Sequence, residues 1–94
     1  MRRYIILSSL TDEGAKTLKT NPERIKEVNE ELKDMGVNVL EQYAVMGNID
    51  FVNIVETEDD AKLMKAVVEL ASRGSVKTAT YRAIPIDEFI ASLK

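Results

Sequence analysis

Along the chain, hydrophobic residues switch between a period of two and a period near 3.6, and the switches mark out the elements. Arg3 to Leu10 is apolar on both parities, Tyr4 and Ile6 against Ile5 and Leu7, and predicts a central first strand. Thr11 to Thr20 is less regular: Asp12 and Glu13 suit a first helical turn and Ala15 and Leu18 share a face, but Gly14 weakens the pattern. It predicts a loop with one helical turn, either a surface loop pinned by Leu18 or the cover of a site. Asn21-Pro22 signals a helix start, with Asn as N-cap and Pro at the first helical position. Ile25, Val28, Leu32 and Met35 then recur at helical spacing, with Lys26, Glu30, Lys33 and Asp34 opposite and Gly36 as a left-handed stop. That helix lies on a sheet with its back to water.

The stretch Val37 to Glu56 predicts a hairpin about the turn Gly47-Asn48-Ile49-Asp50. Its first arm, to Met46, is mixed on both faces, as suits an edge. Its second, Phe51-Val52-Asn53-Ile54-Val55, is apolar on both parities and suits a centre. Thr57 is placed to cap a second helix whose first turn is acidic, Glu58, Asp59 and Asp60. Its apolar residues, from Ala61 to Ala71, span roughly 220° of the helical wheel, so something besides the sheet is expected to touch it. Gly74 ends it. Ser75 to Ile84 is a more polar strand suited to the other edge, and Pro85 to Lys94 has Ile86, Phe89, Ile90 and Leu93 at helical spacing, a short tail helix docked on the body.

Strand, helix, strand, strand, helix, strand with right-handed crossovers is the ferredoxin-like βαββαβ arrangement, α+β, with strands one and three central. Two helices cover one face of such a sheet. The apolar residues of the other face, chiefly Tyr4, Ile6, Leu40 or Tyr43, Phe51 and Val55, would be wet unless a second copy covers them, so a homodimer or higher homo-oligomer is expected.

Composition narrows the chemistry. The chain has 94 residues and a formal charge of −3, and 1–94 fits a single domain. Without cysteine or histidine it lacks thiolate nucleophiles, thiolate metal sites and the commonest general base. No apolar run approaches a membrane span or a signal-peptide core, so no membrane association is expected and a cytoplasmic location is the default. Residues 37–60 carry acidic groups and no Lys or Arg, which places the hairpin in a negative field. The turn faintly resembles the third-strand motif of RNA-recognition domains. It has no cationic start, and Asn53 stands in the stacking position, so no nucleic-acid partner is expected. Glu58-Asp59-Asp60 is read as complementing a helix dipole, with no metal and no cofactor implied.

The candidate site residues are Tyr43, Asp50, Asn53 and Tyr81. If Val52 and Ile54 face the helices, Asn53 sits in the middle of the open face, where Ser8, Tyr43, Tyr81 or Arg82 are possible partners. A buried amide left unsatisfied there would cost about 1–3 kcal/mol. Either these groups hold a small ligand between sheet and dimer mate, or they satisfy one another.

The opening YIILSSLTDEGAK, the NPER segment, the MGNIDFV turn and the closing YRAIPIDEF resemble the GYD-domain family, over essentially the whole chain. Gly47 and Asp50 match the Gly-x-Tyr-Asp turn motif, whereas Ile49 stands where the tyrosine is expected. The resemblance implies a dimeric α/β-barrel type of ferredoxin-like fold and no established activity. The leading expectation is a homo-oligomer that binds or senses a small molecule at the open sheet face. The alternatives are a cofactor-free enzyme of monooxygenase or isomerase type working through Tyr43, Asn53 and Asp50, and a purely structural or partner-binding dimer.

Overall fold

A computed structural model describes every residue from Met1 to Lys94. The elements follow as β1 (Arg2–Leu10), α1 (Asp12–Thr20), α2 (Arg24–Asp34), β2 (Val37–Ala44), β3 (Phe51–Thr57), α3 (Asp60–Ser72), β4 (Val76–Ala83) and α4 (Ile86–Ser92). The strands form one antiparallel sheet in the order β2-β3-β1-β4. This is the ferredoxin-like arrangement, with the doubly apolar runs in the centre and the more polar ones at the edges, as the patterning predicts. Gly36 and Gly74 stop α2 and α3 with φ of 86° and 75°, a region closed to most side chains.

The core lies between one sheet face and the helices. Tyr4, Ile6, Val37 and Val55 from the sheet meet Leu32 of α2 and Leu63 and Ala66 of α3. Each such aliphatic side chain contributes about 1.5–3 kcal/mol when fully buried. The Tyr4 hydroxyl donates to the Asp60 carboxylate at the start of α3, so the ring is buried and its polar end is satisfied.

This corrects the expected facing of the sheet. Tyr4, Ile6, Asn53 and Val55 are buried against the helices, and the opposite parity, Ile5, Leu7, Val52 and Ile54, forms the open face. Both parities of β1 and β3 are apolar, so alternation alone does not choose between them. The polar residues of the two central strands decide, because Ser8, Asn53 and Thr57 each find a partner on the inner face, whereas the buried Thr80 hydroxyl on β4 has none. Thr57, fully buried, donates to the Gly36 carbonyl at 2.8 Å and so locks the end of β3 to the α2–β2 turn. It does not cap α3. That role falls to Asp59, whose carboxylate accepts from Lys62 N at 2.9 Å.

Three further expectations are revised. Thr11 to Thr20 is a true helix, not a loop: the Thr11 side chain caps it by accepting from Gly14 N at 3.1 Å. Gly14 is there for space, since a Cβ at that position would lie 2.1 Å from the Ser75 carbonyl oxygen. Asn21 closes α1, its N–H donating to the Thr17 carbonyl, and its side chain does not cap α2, which begins at Arg24 after a turn through Pro22 and Glu23. Finally, α4 is not docked on the body. It has no buried residue, and Ile86, Phe89, Ile90 and Leu93 are all exposed, as are Met64 and Val68 on the outer side of α3.

Candidate functional site

A cavity of about 160 Å³ lies between the inner sheet face and helices α1 and α2. Most of its wall is apolar, including Leu10, Leu18, Ile25, Val28 and Phe51. Crossing it is a chain of polar side chains that sheet register brings together. Gln42 of β2 pairs with Asn53 of β3, and Asn53 pairs with Ile6 of β1, two residues before Ser8. Asn29 of α2 donates to the Gln42 Oε1 at 2.8 Å, and Gln42 Nε2 donates to the Asn53 Oδ1 at 2.8 Å. Asn53 Nδ2 donates to the Ile6 carbonyl at 2.8 Å and to the Ser8 Oγ at 2.9 Å. The short bonds run one way, from Asn29 through Gln42 and Asn53 to Ser8, with one longer bond returned from Gln42 Nε2 to the Asn29 Oδ1 at 3.4 Å.

Two guanidinium groups border the cavity, and both are neutralised. Arg24 lies 3.2 Å from Glu27 and 3.1 Å from Glu31, while Arg73 contacts Glu31 and lies 3.1 Å from Glu69. The Glu31 carboxyl is held below the ordinary carboxylate range, chiefly by its hydrogen bond from Arg73 and against a desolvation that opposes it. This bridge ties α2 to the end of α3 beside the cavity.

Of the four candidate site residues, only Asn53 lies in the cavity, where Ser8 is its partner as the sequence allowed. Tyr43 and Tyr81 are on the other face, at opposite edges of the sheet and both more than half exposed, at 54% and 56%. There the register lays out one row of Tyr43, Val52, Leu7 and Ala79 and another of Glu41, Ile54, Ile5 and Tyr81. The Tyr43 hydroxyl donates to Glu41 at 3.0 Å, and that bond raises its pKa, so the phenol stays protonated at neutral pH. Asp50 is structural: its carboxylate accepts from Leu10 N at 2.7 Å and its own N–H donates to the Ser8 carbonyl, which clips the hairpin end to β1. The open face thus keeps an apolar centre, made by Ile5, Leu7, Val52 and Ile54 in place of Tyr4, Ile6, Phe51 and Val55, with Tyr43 on it as expected.

Sequence reasoning missed Gln42 and Asn29 as site residues. A signal for them exists: polar side chains on β1, β2 and β3 at neighbouring levels, facing an amide on the otherwise apolar stripe of α2.

The GYD domain matches residues 4–93. A glutamine synthetase and cystathionine beta-lyase binding protein from Thermus thermophilus is 61% identical over 95 residues, covering 100% of both chains. Among solved structures, FFRP-DM1 is 29% identical, covers 89% of this chain and 100% of its own, and superposes with a TM-score of 0.60. A hypothetical protein from Pyrococcus horikoshii is also 29% identical, with coverage of 90% and 92% and a TM-score of 0.59. MtbAldR has a TM-score of 0.68 at 20% identity over 89% of this chain, and the chain spans about half, 52%, of that protein, so this likeness concerns the fold alone.

Proposed function

The chain belongs to the GYD-domain family, and on that footing we propose that it is a homodimeric binding protein for metabolic enzymes, with glutamine synthetase and cystathionine beta-lyase as its partners. The observation that carries this reading is the relative named for binding those two enzymes, which matches at 61% identity from end to end with no part of either chain left over.

The exposed surface supports two separate contacts. Ile5, Leu7, Val52 and Ile54 sit side by side on the open sheet face with a tyrosine at each edge. A flat patch of that kind is covered economically by an identical patch, and a two-fold axis makes it complementary to itself. Covering it with a second copy leaves α4 and the outer side of α3 free, and their apolar side chains (Phe89, Ile90, Leu93, Met64 and Val68) remain for a different protein.

Surface plasmon resonance against immobilised glutamine synthetase and cystathionine beta-lyase from the same organism tests the enzyme contact. Saturable binding at micromolar concentration or tighter is expected, weakened by Phe89→Glu. Failure of both enzymes to bind at tens of micromolar refutes it. Sedimentation equilibrium tests the dimer separately: a dimer is expected for the native chain and a monomer for Ile54→Lys, which sets a charge at the centre of the covered face.

A further inference from the structure

The cavity between the sheet and α1 and α2 has no part in either contact, yet it is built in a way that a filled core is not. At about 160 Å³ it matches the size of apolar cavities, about 150 Å³, that take up benzene-sized molecules. Its polar chain also ends unfinished. Asn53 spends both amide protons, on the Ile6 carbonyl and Ser8 Oγ, and Gln42 Nε2 spends its own on Asn53 and, at 3.4 Å, on Asn29. Ser8, only 8% exposed, accepts at the end of this run and gives its own proton to no acceptor. Hydrogen bonds aligned head to tail polarise one another, so the last hydroxyl of the run is the strongest donor in the cavity.

We propose that this cavity is a binding site for a small, uncharged, largely apolar molecule of roughly six to eight non-hydrogen atoms whose single carbonyl oxygen accepts the Ser8 hydroxyl proton. The apolar wall formed by Leu10, Ile25, Val28 and Phe51 takes the hydrocarbon part. The charge around the cavity excludes an anion. Its two guanidiniums, Arg24 and Arg73, are already engaged by Glu27, Glu31 and Glu69, so the border carries one more negative charge than positive. A carboxylate entering there would lose its water and gain no free cation. A neutral ketone, lactone or ester loses far less on leaving water and satisfies the buried donor, the Ser8 hydroxyl.

Three probes of similar size separate the elements of this inference in ¹H–¹⁵N spectra of the full chain: cyclohexanone, benzene and cyclopentanecarboxylate. Cyclohexanone is expected to give saturable shifts at the Ser8 amide and at the side-chain amides of Asn53 and Gln42. Benzene, with no acceptor, should bind the same place about tenfold more weakly, and cyclopentanecarboxylate should not bind. Ser8→Ala removes the donor with little change in volume, and should bring cyclohexanone down to the level of benzene while leaving benzene unchanged. Val28→Phe should fill the space and abolish both. Its spectrum reports whether it folds, and Ser8→Ala serves where it does not. The inference is overturned if none of the probes gives saturable shifts at these residues, if the carboxylate binds better than the ketone, or if Ser8→Ala leaves the preference for cyclohexanone intact. Because no enzyme partner is present, the result is independent of the partner contacts proposed above.

Discussion

Asn53→Ala removes a side chain that makes hydrogen bonds at 2.8, 2.9 and 2.8 Å, to Ile6, Ser8 and Gln42. A net contribution of roughly 1 kcal/mol per bond gives about 3 kcal/mol, and buried partners left open push the figure up. The three partners do not weigh equally. The Ile6 carbonyl and Ser8 are in the buried centre of the sheet, whereas Gln42 is half-buried and keeps Asn29 as a neighbour. The expected loss is therefore about 2–4 kcal/mol, most of it from β1 rather than from β2. For a chain of this length, that lowers the melting temperature by roughly 10–20 °C. Urea unfolding at one fixed protein concentration is the right assay, since any assembly makes apparent stability depend on concentration. Asn53→Asp should be worse than alanine, because an ionised carboxylate offers no proton to the Ile6 carbonyl and sets charge against it. A double-mutant cycle with Gln42→Ala should return a coupling of about 1 kcal/mol. A loss below about 0.5 kcal/mol for Asn53→Ala would refute the account of the polar chain as the reason these residues face inward.

Gly14→Ala should cost more than about 2 kcal/mol in the same assay, since its Cβ would meet the backbone of Ser75 at 2.1 Å, whereas Gly47→Ala, with nothing within 4 Å, should lie within about 0.5 kcal/mol of the native chain. Asp50→Ala should cost about 1–3 kcal/mol by orphaning Leu10 N, and amide exchange at Leu10 should rise with it. Stability should also fall in acid. Glu31 and Asp60 have folded pKa values below their ordinary ones, the first chiefly through Arg73 and the second chiefly through the Tyr4 hydroxyl. Their contribution is complete above the ordinary carboxylate range and is lost as pH falls below about 4 through the lowered values. Urea midpoints measured from pH 6 down to pH 2 should show a shallower acid decline in Glu31→Gln.

Strand order was legible in the sequence because it depends on a coarse quantity, whether a run is apolar on one face or two. β1 and β3 announce themselves as central in this way, and the topology follows. The choice of inner face was not legible for the same reason, since two apolar parities carry no preference. What settles it is a set of pairings between residues far apart in the chain, Asn53 with Ser8 and Thr57 with Gly36, which no local periodicity encodes. That reversal moved Asn53 away from Tyr43 and Tyr81 and so split the candidate site between two faces. Gly14 misled in a different way. A glycine inside a short helix lowers its propensity, and here the lost propensity is the condition for a close approach that secures the helix. The position of α4 could not be read from its pattern either, because an amphipathic stripe shows that a partner is needed without saying which one.

The approach of α1 to Ser75 has a consequence for the order of assembly. Thr11 N donates to the Ser75 carbonyl at 3.0 Å, and the Thr11 hydroxyl donates to the Gly74 carbonyl across 63 positions of sequence. The helix next to the first strand is thus moored to the turn that launches the last strand. Closing so long a loop is slow compared with forming a helical turn, so α1 cannot take its seat until nearly the whole chain has been laid down. Protection of its amides from exchange is accordingly a gauge of completion: it appears when β4 is home, and in any partly opened state it should be among the first to be lost.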